Sequence, residues 1–402
     1  MKVSRIFAFA TRSITWSLAV FLVFHNSEMP QVLTRYSWKY FIFLSGFWGL
    51  ACVISIAKVE KWFESRGSQL ALVVGALCLT VGLLEAFVRW VDPRGISYYE
   101  EVARYHLDKV ADSEMIFRHR RSWRATYSGV DVRINELGVR DDPILPKRNE
   151  EYRILVLGDS VAFGWGVAQD QIFTSRLQRI LTERTQRLIR VINTGVGGYN
   201  TVQQNTFFKS HGLSLTPDMV ILVYVTNDVE TNEGPFDPWS SRSLRGKSPP
   251  EIINLLLGKS WLFRLVHHVH QHRRGEKTEL ESYRRLRETP GWLASMRALR
   301  DMSDTCNNIK IPLNVFYFRW KATSYSRALL EDVKKSVSSN KVQDMSDWFM
   351  GRNFKQYVNS TVDPHPNSQG HKIIADNIAG YLLSARSLSQ AYVHGLSILQ
   401  KR

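Results

Sequence analysis

Two apolar stretches, Trp38 to Ala57 and Gln69 to Val88, constrain this chain more than any other feature. Crossing a bilayer takes about 20 consecutive, mostly apolar residues, and both stretches supply them. A weaker run from Ile6 to Phe24 carries Arg12, Ser13 and Thr15 but ends in an unbroken apolar stretch from Leu18, and it reads as a third span. Lys2 and Arg5 ahead of a short apolar core would also suit a cleaved signal peptide. His25, Asn26, Ser27 and Glu28 follow without a small-x-small cleavage pattern, which favours a retained helix. Lys2 and Arg5 flank the first run, and Lys58, Lys61 and Arg66 separate the second from the third, whereas the intervening loop offers mainly Arg35 and Lys39. The positive-inside bias then puts the amino terminus in the cytoplasm and everything after Trp90 on the outer side of the membrane, in a bacterium the periplasm or cell exterior. Residues 1–91 are therefore expected to form a multi-pass anchor of about three transmembrane helices. The spans contain no membrane-centre acid or base except Arg12 and Glu85 near their ends, which gives a transport pathway little support.

The remaining residues have the mixed composition of a folded domain, and 44% of the 402 residues are hydrophobic, so disorder is not expected. A formal net charge of +16 admits nucleic acid, an anionic bilayer surface or an acidic polymer as neighbour. No zinc-finger spacing or phosphate-binding glycine loop accompanies the charge, so membrane lipids are the expected partner and nucleic acid is not. Cys52 and Cys78 fall in the apolar runs, which leaves Cys306 alone in the polar part, and no disulfide framework or cysteine metal site follows.

Asp92, Pro93, Arg94 and Gly95 end the last span and open a lead segment, residues 92–150. In it the alternation of Val130 to Ile134 before Asn135-Glu-Leu-Gly suggests a short hairpin packed on the main domain. From Tyr152 the pattern changes. Tyr152 to Leu157, Leu188 to Ile192, Met219 to Val225 and Pro312 to Phe318 read as buried strands, with helical stretches near Gln171 to Arg184 and Thr201 to His211 between them. Strands alternating with helices argue for a parallel sheet covered on both faces, a three-layer α/β/α sandwich over residues 151–390. Ligands in such sheets bind beyond the carboxyl ends of the strands.

Four motifs arrive at that edge. Gly158-Asp159-Ser160 places a hydroxyl directly after the first strand, in surroundings (ILVLGDSVAFGWGV) without the GxSxG pattern of an α/β-hydrolase elbow. Asn193-Thr-Gly-Val-Gly-Gly198-Tyr-Asn-Thr201 follows the second strand and lets backbone N–H groups approach a ligand closely. Thr226-Asn227-Asp228 follows the third strand, and the Asn227 amide could donate to a developing oxyanion. Last comes Asp363-Pro364-His365-Pro366-Asn367. Each proline disfavours helix at the residue before it, so Asp363 and His365 are expected in extended backbone with side chains on one face, and Asn367 suits the cap of a following helix. Taken singly, the first three are also what ordinary turns and caps use.

In this order, over Tyr152 to Leu388, the blocks GDSVAFGWGV, NTGVGGYNTVQ, PDMVILVYVTND and DPHPNSQGH resemble the SGNH (GDSL-type) hydrolase superfamily, and bacterial membrane-anchored members most closely. That resemblance implies a flavodoxin-like fold, Ser160 as nucleophile, His365 as base, Asp363 as its orienting acid, and an oxyanion hole from the N–H groups of Ser160 and Gly198 and the Asn227 amide. One residue separates Asp363 from His365, where many members have two. The chemistry needs no metal or cofactor, and the expected substrate is a small-molecule, glycan or lipid ester. Transfer of the acyl group to a sugar hydroxyl in envelope polysaccharide modification is the alternative. A non-catalytic glycan- or protein-binding module is the other, which a full set of competent residues disfavours.

His371 lies in the helix after the last motif and suits packing rather than catalysis. His267, His268, His270 and His272, with Arg264, Arg273 and Arg274, read as a basic helix face rather than a zinc site, since no carboxylate completes the His268/His272 pair. With Ile252 to Leu257 and Trp261 to Val266 this region, about 250–300, is expected to be a helical insertion that forms a lid or lies on the bilayer surface, with ordinary packing on the domain as the equal alternative.

Overall fold

The four apolar runs that follow the lead segment become neighbours in one sheet because their side chains are buried on both faces, as a parallel sheet requires. The computed structural model describes residues 2–25, 38–230, 259–272, 287, 289–320, 323–337 and 341–384. It divides into two units, Met1–Trp90 and Val91–Arg402.

In the first unit, helix α1 spans Lys2–His25, α2 Trp38–Ile54 and α3 Ala57–Val91. Among the described residues α3, 35 residues long, is the one helix long and apolar enough to cross a membrane. Lys58, Lys61 and Arg66, which separate the second apolar run from the third, lie inside it, because Lys, Glu and Arg are good helix formers and no proline interrupts them. The second run accordingly stops at Ile54, not Ala57. Arg12, a charge inside the first apolar run, pairs with Glu60 of α3. About two turns along the same two helices, a Cβ on Gly67 would come 2.9 Å from the Ser4 carbonyl, so α1 and α3 meet backbone to backbone. Trp16 packs edge-on against Trp48 of α2 at 5.0 Å. Leu72, Leu77, Leu79 and Leu83 of α3 are exposed within this unit.

The second unit opens with α4 (Tyr98–Leu107) and two antiparallel ribbons, β1 (Val110–Asp112) with β2 (Ile116–Arg118) and β3 (Trp123–Tyr127) with β4 (Val130–Ile134). The hairpin turn is Ser128-Gly129, with φ of 50° and 73°, the left-handed pair of a type I′ turn, while Asn135–Gly138 closes the far end of β4. Tyr105, Tyr127, Val132 and Ile134 of this lead segment pack on Phe163 and Trp165.

The main sheet has β5 (Tyr152–Gly158), β6 (Ile189–Asn193), β7 (Met219–Val225), β8 (Leu313–Phe318) and β9 (Val342–Asp344), all parallel, in the order β6-β5-β7-β8-β9. Strand periodicity divides the side chains between two cores. Leu155, Leu157, Val220, Leu222, Val315 and Tyr317 face one layer, built from α7 (Thr201–Phe207), α9 (Pro290–Asn308) and α10 (Ser324–Val337). Ile154, Val156, Ile221, Val223, Phe316 and Phe318 face the other, with α6 (Phe173–Thr185) and α11 (Ser368–Ser384). The result is the expected three-layer arrangement. β9 was not foreseen: it is three residues long at the sheet edge, and only Val342 of it is buried. In the 2-1-3-4-5 order, the connections leaving β5 and leaving β7 run to opposite sides, and the crevice between the carboxyl ends of these two strands is where such folds bind ligands.

Candidate active site

Strand β5 delivers its chain into that crevice. Gly158 ends the strand where a Cβ would come 2.7 Å from the Ala162 side chain. Asp159 then caps the one-turn helix α5 (Ser160–Phe163), its Oδ1 accepting the Val161 N–H at 2.9 Å. This turn leaves Ser160 partly exposed above a buried floor. Its far end is held by Arg140, whose buried guanidinium donates to the carbonyls of Phe163, Gly164 and Val167 at 2.7–3.1 Å.

His365 comes from the loop between β9 and α11. In that loop Val358 bridges to Pro366, and His365 itself sits at a bend in the chain rather than in the extended backbone expected there. The His365 N–H and its Nδ1 both reach Asp363 Oδ1, at 3.1 and 2.5 Å, and Nε2 lies 2.8 Å from Ser160 Oγ. The second oxygen of Asp363 accepts from Trp165 Nε1 at 3.1 Å and Asn359 Nδ2 at 3.0 Å. The carboxylate therefore has no freedom to rotate away from the imidazole. Neither Trp165 nor Asn359 was singled out from the sequence, although Trp165 stands inside the GDSVAFGWGV block; a tryptophan there signals only a large buried ring. Asn367 caps α11 as expected, accepting from Gln369 and Gly370 N–H at 2.9 and 3.1 Å.

Burial lowers the pKa of His365, but the charge and hydrogen bond of Asp363, with the charge of Asp159, outweigh it, and the net shift is upward. Such a base is strong for an imidazole and is oriented on a hydroxyl, an arrangement that can activate a serine for nucleophilic attack. Asp159 Oδ2 also lies 3.1 Å from Ser160 Oγ and accepts the Asn227 amide at 3.3 Å. Asn227 thus stands beside the serine, delivered by the end of β7. Burial pushes the Asp159 carboxyl above the usual carboxylate range, and burial with the Asp159 charge nearby pushes Glu230 up to about 7. Asp228 is fully enclosed and structural, accepting from Val225 N–H at 3.1 Å and from Gln204 at 3.0 Å.

Gly198 lies in the exit loop of β6, with φ of 85°, before the Asn200/Gln203 capping box that starts α7. In the same loop a Cβ on Gly195 would come 2.3 Å from the Phe163 nitrogen, so this loop lies directly on the turn that carries Ser160.

His371 is fully buried. It stacks on Phe173 with centroids 5.8 Å apart and accepts the Phe173 N–H at 3.1 Å, and burial lowers its pKa to about 3. In the basic helix α8 (Trp261–His272), His267 stacks on Phe263, and Arg264 and Trp261 both bind Glu100 of α4. The side chains of His270 and His272, and residues Ile252 to Leu257, Arg273 and Arg274, lie outside the described residues.

A family model described as GDSL-like Lipase/Acylhydrolase family matches residues 156–373. Among solved structures, TesA is similar at 14% identity and a TM-score of 0.37, over 57% of this chain and 98% of its own. A lipase/acylhydrolase from Enterococcus faecalis is similar at 10% identity and a TM-score of 0.36, over 57% and 95%. A catalytic mutant of Axe2, an acetylxylan esterase from Geobacillus stearothermophilus, is similar at 14% identity and a TM-score of 0.37, over 57% and 92%. No curated protein sequence matches this one significantly.

Proposed function

The chain belongs to the GDSL-like lipase/acylhydrolase family, and from that premise we propose that it is a membrane-anchored serine esterase in which Ser160 attacks the acyl carbonyl. The observation that carries the reading is the unbroken chain from Ser160 Oγ through both nitrogens of His365 to Asp363, with contacts of 2.8 and 2.5 Å. His365 takes the hydroxyl proton as the oxygen bonds to carbon, and Asp363 stabilises the imidazolium that forms. The tetrahedral oxyanion is held by the N–H groups of Ser160 and Gly198 and by the Asn227 amide, which must leave Asp159 to reach it. His365 then returns the proton to the leaving alcohol, and water repeats the cycle in reverse on the acyl-enzyme.

The anchor is the unit 1–91. Helix α3 alone is about 52 Å long at 1.5 Å per residue, longer than the roughly 30 Å hydrocarbon core. The charged first turns from Lys58 to Arg66 would lie beyond the apolar layer. The exposed leucines of α3 support lipid contact. With α1 and α2 also crossing, the acylhydrolase domain sits on the extracytoplasmic face and meets a glycan or lipid ester there.

A fluorophosphonate probe on the detergent-solubilised protein tests the mechanism. The probe is expected on Ser160. Ser160→Ala should lose about a millionfold in turnover, as nucleophile loss does in another serine hydrolase, and Asn227→Ala about a hundred- to a thousandfold. No label on folded protein, together with unchanged activity in Ser160→Ala, would end the serine reading. Sugar acceptors added to the assay separate hydrolysis, which they leave unchanged, from acyl transfer, which they accelerate with acylated sugar as product.

A further inference from the structure

We propose that Lys109 is a positioning residue for acyl transfer: by donating to the carbonyl oxygen of Gly197, its side-chain nitrogen holds the Gly197–Gly198 peptide so that the Gly198 N–H faces the developing oxyanion. The inference rests on the serine mechanism above and on Gly198 as one of its donors. A trans peptide is planar, with its C=O and N–H pointing in opposite directions. Anchoring the Gly197 oxygen therefore fixes the direction of the Gly198 N–H.

Three contacts make that anchor rigid. Lys109 Nζ binds the Gly197 oxygen directly. The N–H of Gly197 donates to Tyr105 Oη at 2.8 Å, so the peptides on both sides of the Gly197 Cα are held. Tyr105 is fixed in turn: its hydroxyl lies 2.6 Å from His119 Nε2, and His119 Nδ1 lies 3.1 Å from the Gly138 carbonyl. His106 fills the third side. A Cβ on Gly198 would come 2.9 Å from its Cε1, and its Nδ1 is 3.0 Å from Lys109 Nζ.

Lys109 is only 9% exposed, with its nitrogen 4.3 and 4.4 Å from the ring centroids of Tyr105 and Phe117. Enclosing an amine among rings is costly unless its hydrogen bonds are made. Burial depresses its pKa, but the neutral amine also donates N–H, so the anchor persists in either protonation state. A hydrogen bond to the oxygen also polarises the peptide and strengthens donation from its nitrogen. On this account the lead segment, which supplies Tyr105, His106 and Lys109, is a wall of the site.

The test uses the full chain in detergent, with Lys109→Met and Lys109→Gln. It compares kcat for a short acyl ester with the affinity of a trifluoromethyl ketone, whose serine adduct carries an oxyanion in the donor site. Lys109→Met should lower kcat by roughly ten- to a hundredfold, less than outright loss of a donor. It should weaken the ketone by the same factor and leave KM nearly unchanged. Lys109→Gln keeps an N–H donor and should recover part of both losses. If Lys109→Met does not fold, Lys109→Gln alone carries the comparison, and parallel losses support the proposal. Wild-type values in both measurements, or a kcat loss with unchanged ketone affinity, overturn it while the esterase reading stands. A wild-type protein that forms no Ser160 adduct overturns both.

Discussion

Both oxygens of Asp363 are occupied, one by His365 and the other by Trp165 and Asn359, so this carboxylate sets the orientation of the imidazole and, with a smaller contribution from Asp159, its basicity. Its charge raises the His365 pKa against burial, and the base works only when neutral. The kcat/KM of the wild type should therefore fall on acidification with a midpoint above 6.5, the ordinary histidine value. Asp363→Asn removes the charge, so its acid limb should move to lower pH. The plateau should fall by up to about ten-thousandfold, as in a serine protease triad lacking its carboxylate. An acid limb that stays in place would dissociate Asp363 from His365.

His371 has the opposite electrostatics. Buried and neutral, with its pKa lowered to about 3, it takes up a proton near 6.5 once the chain unfolds. The unfolded state binds more protons in that window, so stability contributed above 6.5 is lost as pH falls towards 3. His119, also lowered to about 3 by burial, acts in the same sense. Melting temperature should drop between pH 7 and 4, and His371→Gln should flatten that slope while retaining most ester hydrolysis. His365→Ala should abolish hydrolysis, and equal activity losses in the two folded variants would contradict the assignment.

Among the elements, the exit loop of β6 and the turn α5 make the tightest contact of the site. A methyl group at Gly195 would enter the backbone of Ala162 and Phe163, at 2.7 and 2.3 Å. Backbone cannot rotate aside as a side chain does, and overpacking of this kind costs about 1–3 kcal/mol. Gly195→Ala should lower the melting temperature and, by displacing Ser160, reduce kcat more than KM. A variant with normal stability and rate would show that the loop and turn are not in register as described. The glycine-rich sequence marked this loop as one whose backbone can approach a ligand; that Gly195 serves packing depends on α5 lying against it.

For the whole molecule, the two units differ in what they leave exposed: apolar helices whose leucines are exposed, and a sheet buried on both faces. A reporter active only outside the cytoplasm, fused after Arg402, should be active. Activity of a cytoplasm-only reporter there would reverse the orientation drawn from Lys2, Arg5, Lys58, Lys61 and Arg66.

Local chemistry by itself determined much of this protein. Runs of apolar residues marked β5 to β8, and the motifs that follow them singled out Ser160, Asn227, Asp363 and His365, while the role of Gly198 followed only from the family resemblance. These signals act over a few residues, through φ restriction, side-chain alternation and capping, so a linear chain records them. The short edge strand β9 and the charged helical start of α3 escaped because three residues carry no period and Lys and Arg suit helix and loop alike. Tertiary structure alone decided that Trp165 would hold Asp363 across a separation of 198 residues, and that Tyr105, His106 and Lys109 would close on the Gly197 peptide. Those contacts pair residues of unremarkable local pattern, and their energy exists only once the sheet has brought its edge loops and the lead segment into one place.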